Sequence, residues 1–201
     1  MTFVVASNNK RKIKELSDIL VSIGNTAISA KEAGISCDPE ETADSFYGNA
    51  LIKATAFKEL TDYAVIADDS GLMVEALEGR PGVFSARYAS LHPTDDENTA
   101  KLLKEMEKVK LRDRTAWFVC SIVAILPTNE EISSFGYTRG YIGYDKRGQN
   151  GFGYDPVFYI KGNRSFAELS EEEKSRISHR GRALRKFAFK LRNIRKMKGN
   201  I

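Results

Sequence analysis

The chain alternates short apolar runs with longer segments in which apolar residues recur at helical spacing. It opens with an apolar run from Phe3 to Ala6, and apolar residues then recur along one helical face up to Gly24. A run of the first kind predicts a buried strand, and the second pattern predicts an amphipathic helix. Between them lies the polar turn Ser7 to Asn9, whose residue types are favoured at a helix N-terminus. The chain therefore begins as strand, polar turn and helix.

The same patterns predict a sheet with flanking helices along the rest of the chain, after irregular chain or weak strand over residues 26–43. The further predicted elements are a helix from about Ser45, a strand over Ala64 to Ala67, a loop over Leu77 to Ala89, a helix over about Asp95 to Lys110, strands over 115–126 and 132–142, a strand over 156–160, a helix opened by Ser170 and Glu173, and a helix over about 181–198. The two long strands flank a short turn and predict an antiparallel hairpin, so the sheet should be mixed and the fold class α/β.

Length and composition restrict the class of protein. The chain has 201 residues, of which 42% are hydrophobic and 29% charged, as in a globular domain. No apolar run approaches the roughly 18 residues of a membrane span, and the N-terminus does not resemble a secretory signal. Cys37 and Cys120 are too few for a disulfide framework, so we expect free thiols and a cytoplasmic protein. Without repeats or linkers, residues 1–201 are predicted to form a single domain.

Charge is distributed unevenly along the chain. The segment Lys174 to Lys198 contains eleven Lys and Arg residues and no Asp or Glu, although the net charge is only +4. Such a segment could bind nucleic acid, bind phosphate groups of small molecules, or form the solvated face of an amphipathic helix. Because the rest of the chain is net acidic, a nucleic-acid surface covering the whole protein is disfavoured.

Two adjacent carboxylates, Asp68 and Asp69, directly follow the predicted strand at Ala64 to Ala67 and precede Ser70 and Gly71. Successive residues of a strand point to opposite faces, so one carboxylate can point inward while the other faces a cleft. Ligands of α/β sheets usually bind at the carboxyl ends of strands. The alternative is an Asx turn without any function.

Polar residues gather in three clusters along the chain. They are Ser7, Asn9 and Lys12 at a helix start, the carboxylates Glu40, Glu41, Asp68 and Asp69, and the cationic residues Lys174, His179 and Arg180. A helix start with nearby cations attracts phosphate, although a capped surface helix with solvated lysines has the same pattern. Carboxylates repel phosphates unless a divalent cation separates them, and oxygen ligands favour Mg²⁺ over zinc. Together the clusters predict a phosphoanhydride substrate with Mg²⁺.

Six short motifs strengthen this prediction because they occur in order and at suitable spacing. They are S7-N-N-K-R-K12, E40-E-T42, A67-D-D-S-G71, P81-G-V-F-S-A-R-Y88, G151-F-G-Y-D155 and S178-H-R-G181. Together they resemble the Ham1/RdgB family of inosine triphosphate pyrophosphatases, from residue 3 to about residue 190. The sequence differs at Asn8, where the family usually has glycine, and asparagine tolerates positive φ better than most residues.

The resemblance implies a fold, a reaction and an assembly. The fold would be an elongated, two-lobed α/β structure with a central mixed sheet flanked by helices and a cleft between the lobes. The family hydrolyses ITP, dITP and XTP to the monophosphate and pyrophosphate with Mg²⁺, which keeps these non-standard purine nucleotides out of DNA and RNA. Its members are typically homodimers, with no stable nucleic-acid binding and no membrane association.

The resemblance also implies roles for individual residues. Asp69 would be the proton acceptor and a metal ligand, with Glu40 or Glu41 also near the metal. The substrate-binding residues would be Ser7, Asn8, Asn9, Lys10, Arg11, Lys12, Ser70, Phe152, Gly153, Tyr154, Asp155, Lys174, His179 and Arg180. We hypothesise that Asp69, alone or through the metal, activates a water for in-line attack on the α-phosphorus. Donors such as His179 and Arg180 would suit a 6-oxo purine, and Phe152 could stack on its ring.

Two other functions are consistent with parts of the sequence. A Maf-like pyrophosphatase acting on modified pyrimidine nucleotides would use a related fold, although the SHRG and GFGYD segments favour the Ham1 resemblance. A nucleic-acid-binding module would use the basic C-terminal helix and bind in a salt-sensitive way. That second alternative leaves the four carboxylates at Glu40, Glu41, Asp68 and Asp69 unexplained.

Overall fold

The computed structural model describes residues 1–197 and 199, which form seven strands and five α-helices. The strands are β1 (Thr2–Val5), β2 (Thr26–Ser29), β3 (Ala64–Val74), β4 (Thr115–Ile125), β5 (Glu131–Ile142), β6 (Phe158–Ile160) and β7 (Arg164–Ser165). The helices are α1 (Lys10–Ser22), α2 (Phe46–Lys58), α3 (Asp95–Glu105), α4 (Glu171–Ile177) and α5 (His179–Met197). Lys198, where the last predicted helix ends, lies outside the described residues.

The strands form one mixed sheet in the order β2-β1-β3-β4-β5-β6-β7. Strand β1 pairs in parallel with β2 and β3, whereas β6 pairs antiparallel with β5 and β7. Strands β4 and β5 are neighbours in the sheet and are joined by a tight turn in which Leu126 N–H donates to the Glu130 carbonyl at 2.9 Å. The predicted mixed α/β sheet is therefore confirmed.

The chain divides into two compact units. The first unit comprises Met1–Asp69, Cys120–Gly136 and the chain from Arg182 onward, and the second comprises Ser70–Val119 and Tyr137–Gly181. A single domain over residues 1–201 stays a prediction. No helix within residues 1–197 is long and apolar enough to cross a membrane.

In the first unit, the two faces of the sheet carry separate cores. One core, here the α1/α5 core, includes Leu16, Leu20, Leu184 and Phe187, and the other, the α2 core, includes Ala50, Ala54 and Phe57. Strand β3 contributes to both, because Ala64 and Ile66 lie in the α1/α5 core while Val65 and Ala67 lie in the α2 core. By the same alternation, Asp68 continues the α1/α5 face and Asp69 continues the α2 face.

The basic helix α5 belongs partly to this first core. Leu184, Phe187 and Leu191 pack inside. Two of its cations donate to carbonyl groups of β5: Lys186 Nζ to Phe135 O at 2.9 Å and Lys190 Nζ to Ser133 O at 2.7 Å. An amphipathic helix with its charges on the outer faces is the pattern predicted for this segment.

The second unit is built around aromatic side chains. Phe118 lies 4.4 Å from Phe158 and 5.7 Å from Phe166, measured between ring centroids. Arg114 is also buried here, and its guanidinium donates to the carbonyl groups of Met106, Val109, Ile142 and Gly143. These bonds tie the end of α3 to the end of β5.

The structure corrects the predicted bounds of three elements. Strand β3 does not stop at Asp68 but continues to Val74, because Leu72 and Val74 are buried beyond the polar residues and Leu72 N–H donates to Ser85 Oγ at 2.8 Å. Helix α3 ends at Glu105 rather than near Lys110. Helix α5 begins at His179, two residues earlier than predicted.

Two further differences concern short elements. The predicted loop at Leu77 to Ala89 contains two 3-10 turns, Glu75–Leu77 at its edge and Gly82–Arg87 within it. The short strand β7 was not predicted, because its two residues carry no detectable period.

Candidate active site

The polar turn before α1 forms a hydrogen-bonded helix cap. Asn9 is the N-cap residue, and its Oδ1 accepts from the backbone N–H groups of Arg11 and Lys12 at 3.0 and 3.2 Å. Ser7 Oγ accepts from the N–H of Asn9 at 3.2 Å. Asn8 is exposed and is not among the described residues with positive φ, so it introduces no left-handed strain where the resembled family has glycine. The turn is ordered by its own side chains.

The cations of this turn differ in their surroundings. Lys10 and Arg11 are exposed, whereas Lys12 is partly buried and its Nζ lies 3.3 Å from Oδ2 of Asp68. The Asp68 side chain is 0% exposed. The structure thus joins two of the predicted clusters, the cations at a helix start and the carboxylates at the end of a strand.

Asp69 is held from helix α2, on the opposite face of β3. Asn49 Nδ2 donates to Asp69 Oδ2 at 3.2 Å, and Lys53 Nζ lies 3.8 Å from Asp69 Oδ1. Asn49 and Lys53 are four residues apart in α2 and therefore lie on the same helical face. The Asn49 amide is oriented by Ala43, whose N–H donates to Asn49 Oδ1 at 2.9 Å. Asp69 is therefore fixed by two side chains of one helix.

Lys53 also connects Asp69 to one of the two predicted glutamates. Its Nζ lies 2.7 Å from Glu41 Oε1, so one ammonium group contacts the carboxylates of both Glu41 and Asp69. Glu40, in contrast, is exposed. Among the residues that the structure describes, Glu41 is therefore the predicted glutamate that contacts the ion pair of Lys53 and Asp69.

Burial dominates the electrostatics of this group. The pKa of Asp69 is raised, and burial of its carboxyl group is the main cause. The positive charges of Lys53 and Lys12 lower this pKa and the negative charge of Glu41 raises it, but neither effect reverses the shift. Burial lowers the pKa of Lys53, but the negative charges of Asp69, Asp68 and Glu41 outweigh this effect and leave the pKa raised. Lys53 is thus a cation at neutral pH, and Asp69 is a stronger base than an exposed aspartate.

In the second unit, the first turn of α5 presents two predicted nucleotide-binding residues. Arg180 is buried and donates to Ser70 Oγ at 2.9 Å. His179 is buried too, and its ring stacks on Phe118 with centroids 4.7 Å apart and an interplanar angle of 14°. Ser178 Oγ accepts from the N–H of Gly181 at 3.1 Å, which caps this turn.

Phe152 and Lys174 are organised by the buried carboxylate of Asp155. Lys174 Nζ lies 2.5 Å from Asp155 Oδ2, and the same oxygen accepts from Phe152 N–H at 2.8 Å. Lys174 Nζ lies 5.1 Å from the centroid of the Phe152 ring, and Arg180 Cζ lies 5.8 Å from it. A side chain at Gly151 would collide with the Asp155 carboxylate, so this close approach requires glycine. The structure brings together four of the predicted nucleotide-binding residues here.

The other two residues of this loop point elsewhere. Tyr154 is buried in the second unit's core, and its hydroxyl donates to Ser85 O at 2.8 Å. Gly153 N–H donates to Asp95 Oδ2 at 2.7 Å, in the first turn of α3. Nucleotide contacts by Gly153 and Tyr154 stay predictions, and both residues clearly help to anchor the loop.

A sequence model described as the Ham1 family matches residues 3–190 of the chain. The chain belongs to the Ham1 family. The match covers all the predicted motifs, from the cap of α1 to the first turn of α5, and agrees with the resemblance found from those motifs alone.

Relatives of this Ham1 chain match it over more than nine-tenths of its length. It is 43% identical to a dITP/XTP pyrophosphatase of Clostridium perfringens, over 96% of this chain and 98% of the relative. It is 41% identical to a dITP/XTP pyrophosphatase of Bacillus subtilis, over 92% and 94% of the two chains. Among solved structures, the Ham1 protein of Staphylococcus aureus matches with a TM-score of 0.87 at 40% identity, and that of Coxiella burnetii with 0.88 at 39% identity. Each match covers 96% of this chain and 99% of the other.

The side chains of Asp69 and Glu41 offer oxygen donors, the type of ligand that hard divalent cations take. Asp69 and Glu41 contact one ammonium group, so their oxygens already converge on a positive charge. Within the described residues there is no group of three or more His, Cys, Asp and Glu side chains that could hold a metal. Two carboxylates suit Mg²⁺, which usually takes one or two protein carboxylates and completes its shell with waters and substrate phosphates.

Sequence reasoning missed several residues around these groups. Lys53 was placed only as a helical residue, although its spacing from Asn49 is the signal that could have found it. The contacts of Ser85 with Tyr154 and of Cys120 with Asp68 gave no signal, because they join segments far apart in the chain.

Proposed function

We propose that this protein is a nucleoside-triphosphate pyrophosphatase that hydrolyses non-standard purine nucleotides. Its substrates would be ITP, dITP and XTP, and its products the monophosphate and pyrophosphate. This hydrolysis would be Mg²⁺-dependent and would keep such nucleotides out of DNA and RNA. The names of the full-length relatives support the substrate class. The observation that carries the proposal is Asp69, a buried carboxylate of raised pKa held by Asn49 and Lys53.

In this proposal, the first unit binds the phosphates and supplies the base. The turn from Ser7 to Lys12 binds the triphosphate through backbone N–H groups and cations, as helix N-termini do. Asp69 accepts a proton from water, and the water oxygen forms a bond to the α-phosphorus. The bond to the bridging oxygen breaks, and its electron pair leaves with pyrophosphate.

A divalent cation would be held by Asp69 and Glu41, and when bound it would neutralise phosphate charge as a Lewis acid. Lys53 and Asn49 keep the Asp69 carboxylate in place through the contacts described above. Lys12 adds positive charge toward the phosphates. Stabilisation of the charge on the leaving group should supply most of the rate enhancement.

We assign recognition of the nucleoside to the second unit. Ser70, Phe152 to Asp155, Lys174, His179 and Arg180 would contact the nucleotide, with Phe152 stacking on the base. A 6-oxo purine accepts hydrogen bonds where adenine donates them. With ATP, donors such as Arg180 would lose their partner, at about 1–3 kcal/mol for each buried group.

The remaining predictions on assembly and location belong to the same proposal. The protein would act as a single domain in a homodimer in the cytoplasm, without stable binding to nucleic acid.

The proposal is tested by a panel of nucleotides with Mg²⁺, scoring monophosphate plus pyrophosphate against diphosphate plus phosphate. We expect ITP, dITP and XTP to give pyrophosphate, and ATP and modified UTP to react much more slowly. The variant Asp69→Asn should lose turnover while keeping its fold by circular dichroism. Asp18→Asn is the matched control, because Asp18 is a 64% exposed side chain in α1. Near-normal turnover of Asp69→Asn, or preferred hydrolysis of modified UTP, would refute the proposal.

A further inference from the structure

The two adjacent aspartates of β3 are not equivalent. Asp69 lies on the α2 face of the strand, where Asn49 and Lys53 hold it. Asp68 lies on the α1/α5 face, and its side chain is completely buried. The proposed reaction uses Asp69 as the base and leaves the second carboxylate without a role.

Asp68 is a buried carboxylate with a cation from the phosphate-binding turn. Lys12 Nζ lies 3.3 Å from Asp68 Oδ2, and Cys120 Sγ lies 4.0 Å from the same oxygen. An ionised carboxylate without a counter-charge is strongly disfavoured in the interior of a protein, so Asp68 attracts the Lys12 ammonium. The Lys12 side chain is accordingly only 17% exposed, while its neighbours Lys10 and Arg11 are exposed.

This contact fixes a side chain that would otherwise be mobile. Lysine has a long flexible stem, and a free lysine loses rotamer entropy when it binds an anion. Asp68 removes much of that loss before substrate arrives, which is the advantage of preorganisation. An ammonium group has three N–H donors, so a contact with Asp68 leaves donors for phosphate oxygens.

We propose that Asp68 is a positioning residue: it holds the Lys12 ammonium in place for the triphosphate and does not itself contact substrate. The inference rests on the proposed function, in which the turn from Ser7 to Lys12 binds phosphates. It assigns the two aspartates separate tasks, since Asp69 accepts a proton and Asp68 orders a cation.

A double-mutant cycle on Asp68 and Lys12 tests this inference. We would measure kcat/KM for dITP with Mg²⁺ in the wild type, Asp68→Asn, Lys12→Met and the double variant. Asp68→Asn should lower kcat/KM about tenfold, the loss expected for one charge-assisted contact. In the Lys12→Met background the same change should alter kcat/KM by less than about twofold, because the group that Asp68 positions is gone.

Stability measured on the same variants separates positioning from a purely structural role. Lys12→Met removes the cation that lies 3.3 Å from the buried Asp68 carboxylate and should lower the melting temperature, and adding Asp68→Asn should restore it. The double variant should therefore regain stability without regaining turnover. Lys14→Met is the matched control, because Lys14 lies in the same helix and its ion pair with Asp18 is exposed on both sides. This control should leave both quantities unchanged.

Two results would decide against the inference or against the function. An equal loss of kcat/KM from Asp68→Asn in both backgrounds would overturn the positioning role. If Asp68→Asn does not fold, Asp68→Glu replaces it in the same double-mutant cycle. This variant keeps the negative charge but displaces it by one methylene group. If the wild type hydrolyses none of the proposed nucleotides, the proposed function fails. Calorimetric binding of inorganic tripolyphosphate to the wild type and the same three variants then tests the coupling of Asp68 and Lys12 independently.

Discussion

Replacing Asp155 with asparagine should weaken nucleotide recognition and make the stability of the fold less dependent on pH. Asparagine has the same shape as aspartate but no charge. In the variant, a neutral amide oxygen must therefore accept from the two donors that share one carboxylate oxygen in the wild type. Those partners are Lys174 Nζ at 2.5 Å and Phe152 N–H at 2.8 Å. Both belong to the group that we assign to the nucleoside.

The expected loss follows from the kind of bond that changes. A hydrogen bond to a charged group contributes about 1.5–3 kcal/mol and a neutral one about 1 kcal/mol. The difference is about 0.5–2 kcal/mol, or about 2–30-fold in kcat/KM for dITP. The effect requires that Lys174 and Phe152 contact the nucleotide, as proposed.

The stability of the variant follows from the direction of the pKa shift. Burial raises the pKa of Asp155, and Lys174, Phe152 and Arg180 lower it only in part. A carboxyl group whose pKa is raised in the folded state stabilises the fold most below its unfolded pKa, near 4, and this contribution is lost as the pH rises through the folded pKa. Asparagine does not titrate, so Asp155→Asn should lack this loss of stability as the pH rises.

The assay pairs kcat/KM for dITP with urea unfolding at pH 5 and pH 7. Asp145→Asn is the control, since Asp145 is an exposed aspartate of the same unit and has the same change of charge. Stability of the wild type should fall more from pH 5 to pH 7 than that of Asp155→Asn. Unchanged kcat/KM in Asp155→Asn would refute the assignment of Lys174 and Phe152 to the nucleotide.

Three further changes have distinct expected outcomes. Glu41→Gln should raise the Mg²⁺ concentration needed for half-maximal turnover several-fold, while Glu40→Gln should leave it unchanged. A Mg²⁺ titration in which Glu40→Gln raises this concentration and Glu41→Gln does not would contradict Glu41 as the proposed metal ligand. Arg114→Met removes the donor to four backbone carbonyl groups and should lower the free energy of unfolding by about 3–5 kcal/mol. A loss below about 1 kcal/mol in urea unfolding would contradict this structural role of Arg114. Asp95→Ala removes the acceptor of Gly153 N–H and should raise KM for dITP with little change in kcat, whereas an unchanged KM would exclude this anchor.

Local pattern accounts for much of what could be predicted from the sequence. The alternation along β3 predicts that Asp68 and Asp69 face opposite sides, and their contacts with Lys12 and Lys53 agree. The caps at Asn9 and Ser170 could be read directly, because a cap depends on residues within one turn.

What could not be predicted depends on contacts between distant segments. Lys53 meets Glu41 across 12 residues, and Cys120 meets Asp68 across 52. The end of β3 was placed too early because Asp68 to Gly71 has the composition of a turn, while the burial of Leu72 and Val74 extends the strand. Local turn propensity was overridden there by tertiary packing.

Hydrolysis of dITP in water enriched in ¹⁸O, followed by mass spectrometry of both products, tests the proposed chemistry most directly. Attack of a water activated by Asp69 on the α-phosphorus places the label in the monophosphate and leaves pyrophosphate unlabelled. Label in pyrophosphate, or release of labelled orthophosphate with dIDP, would contradict the account.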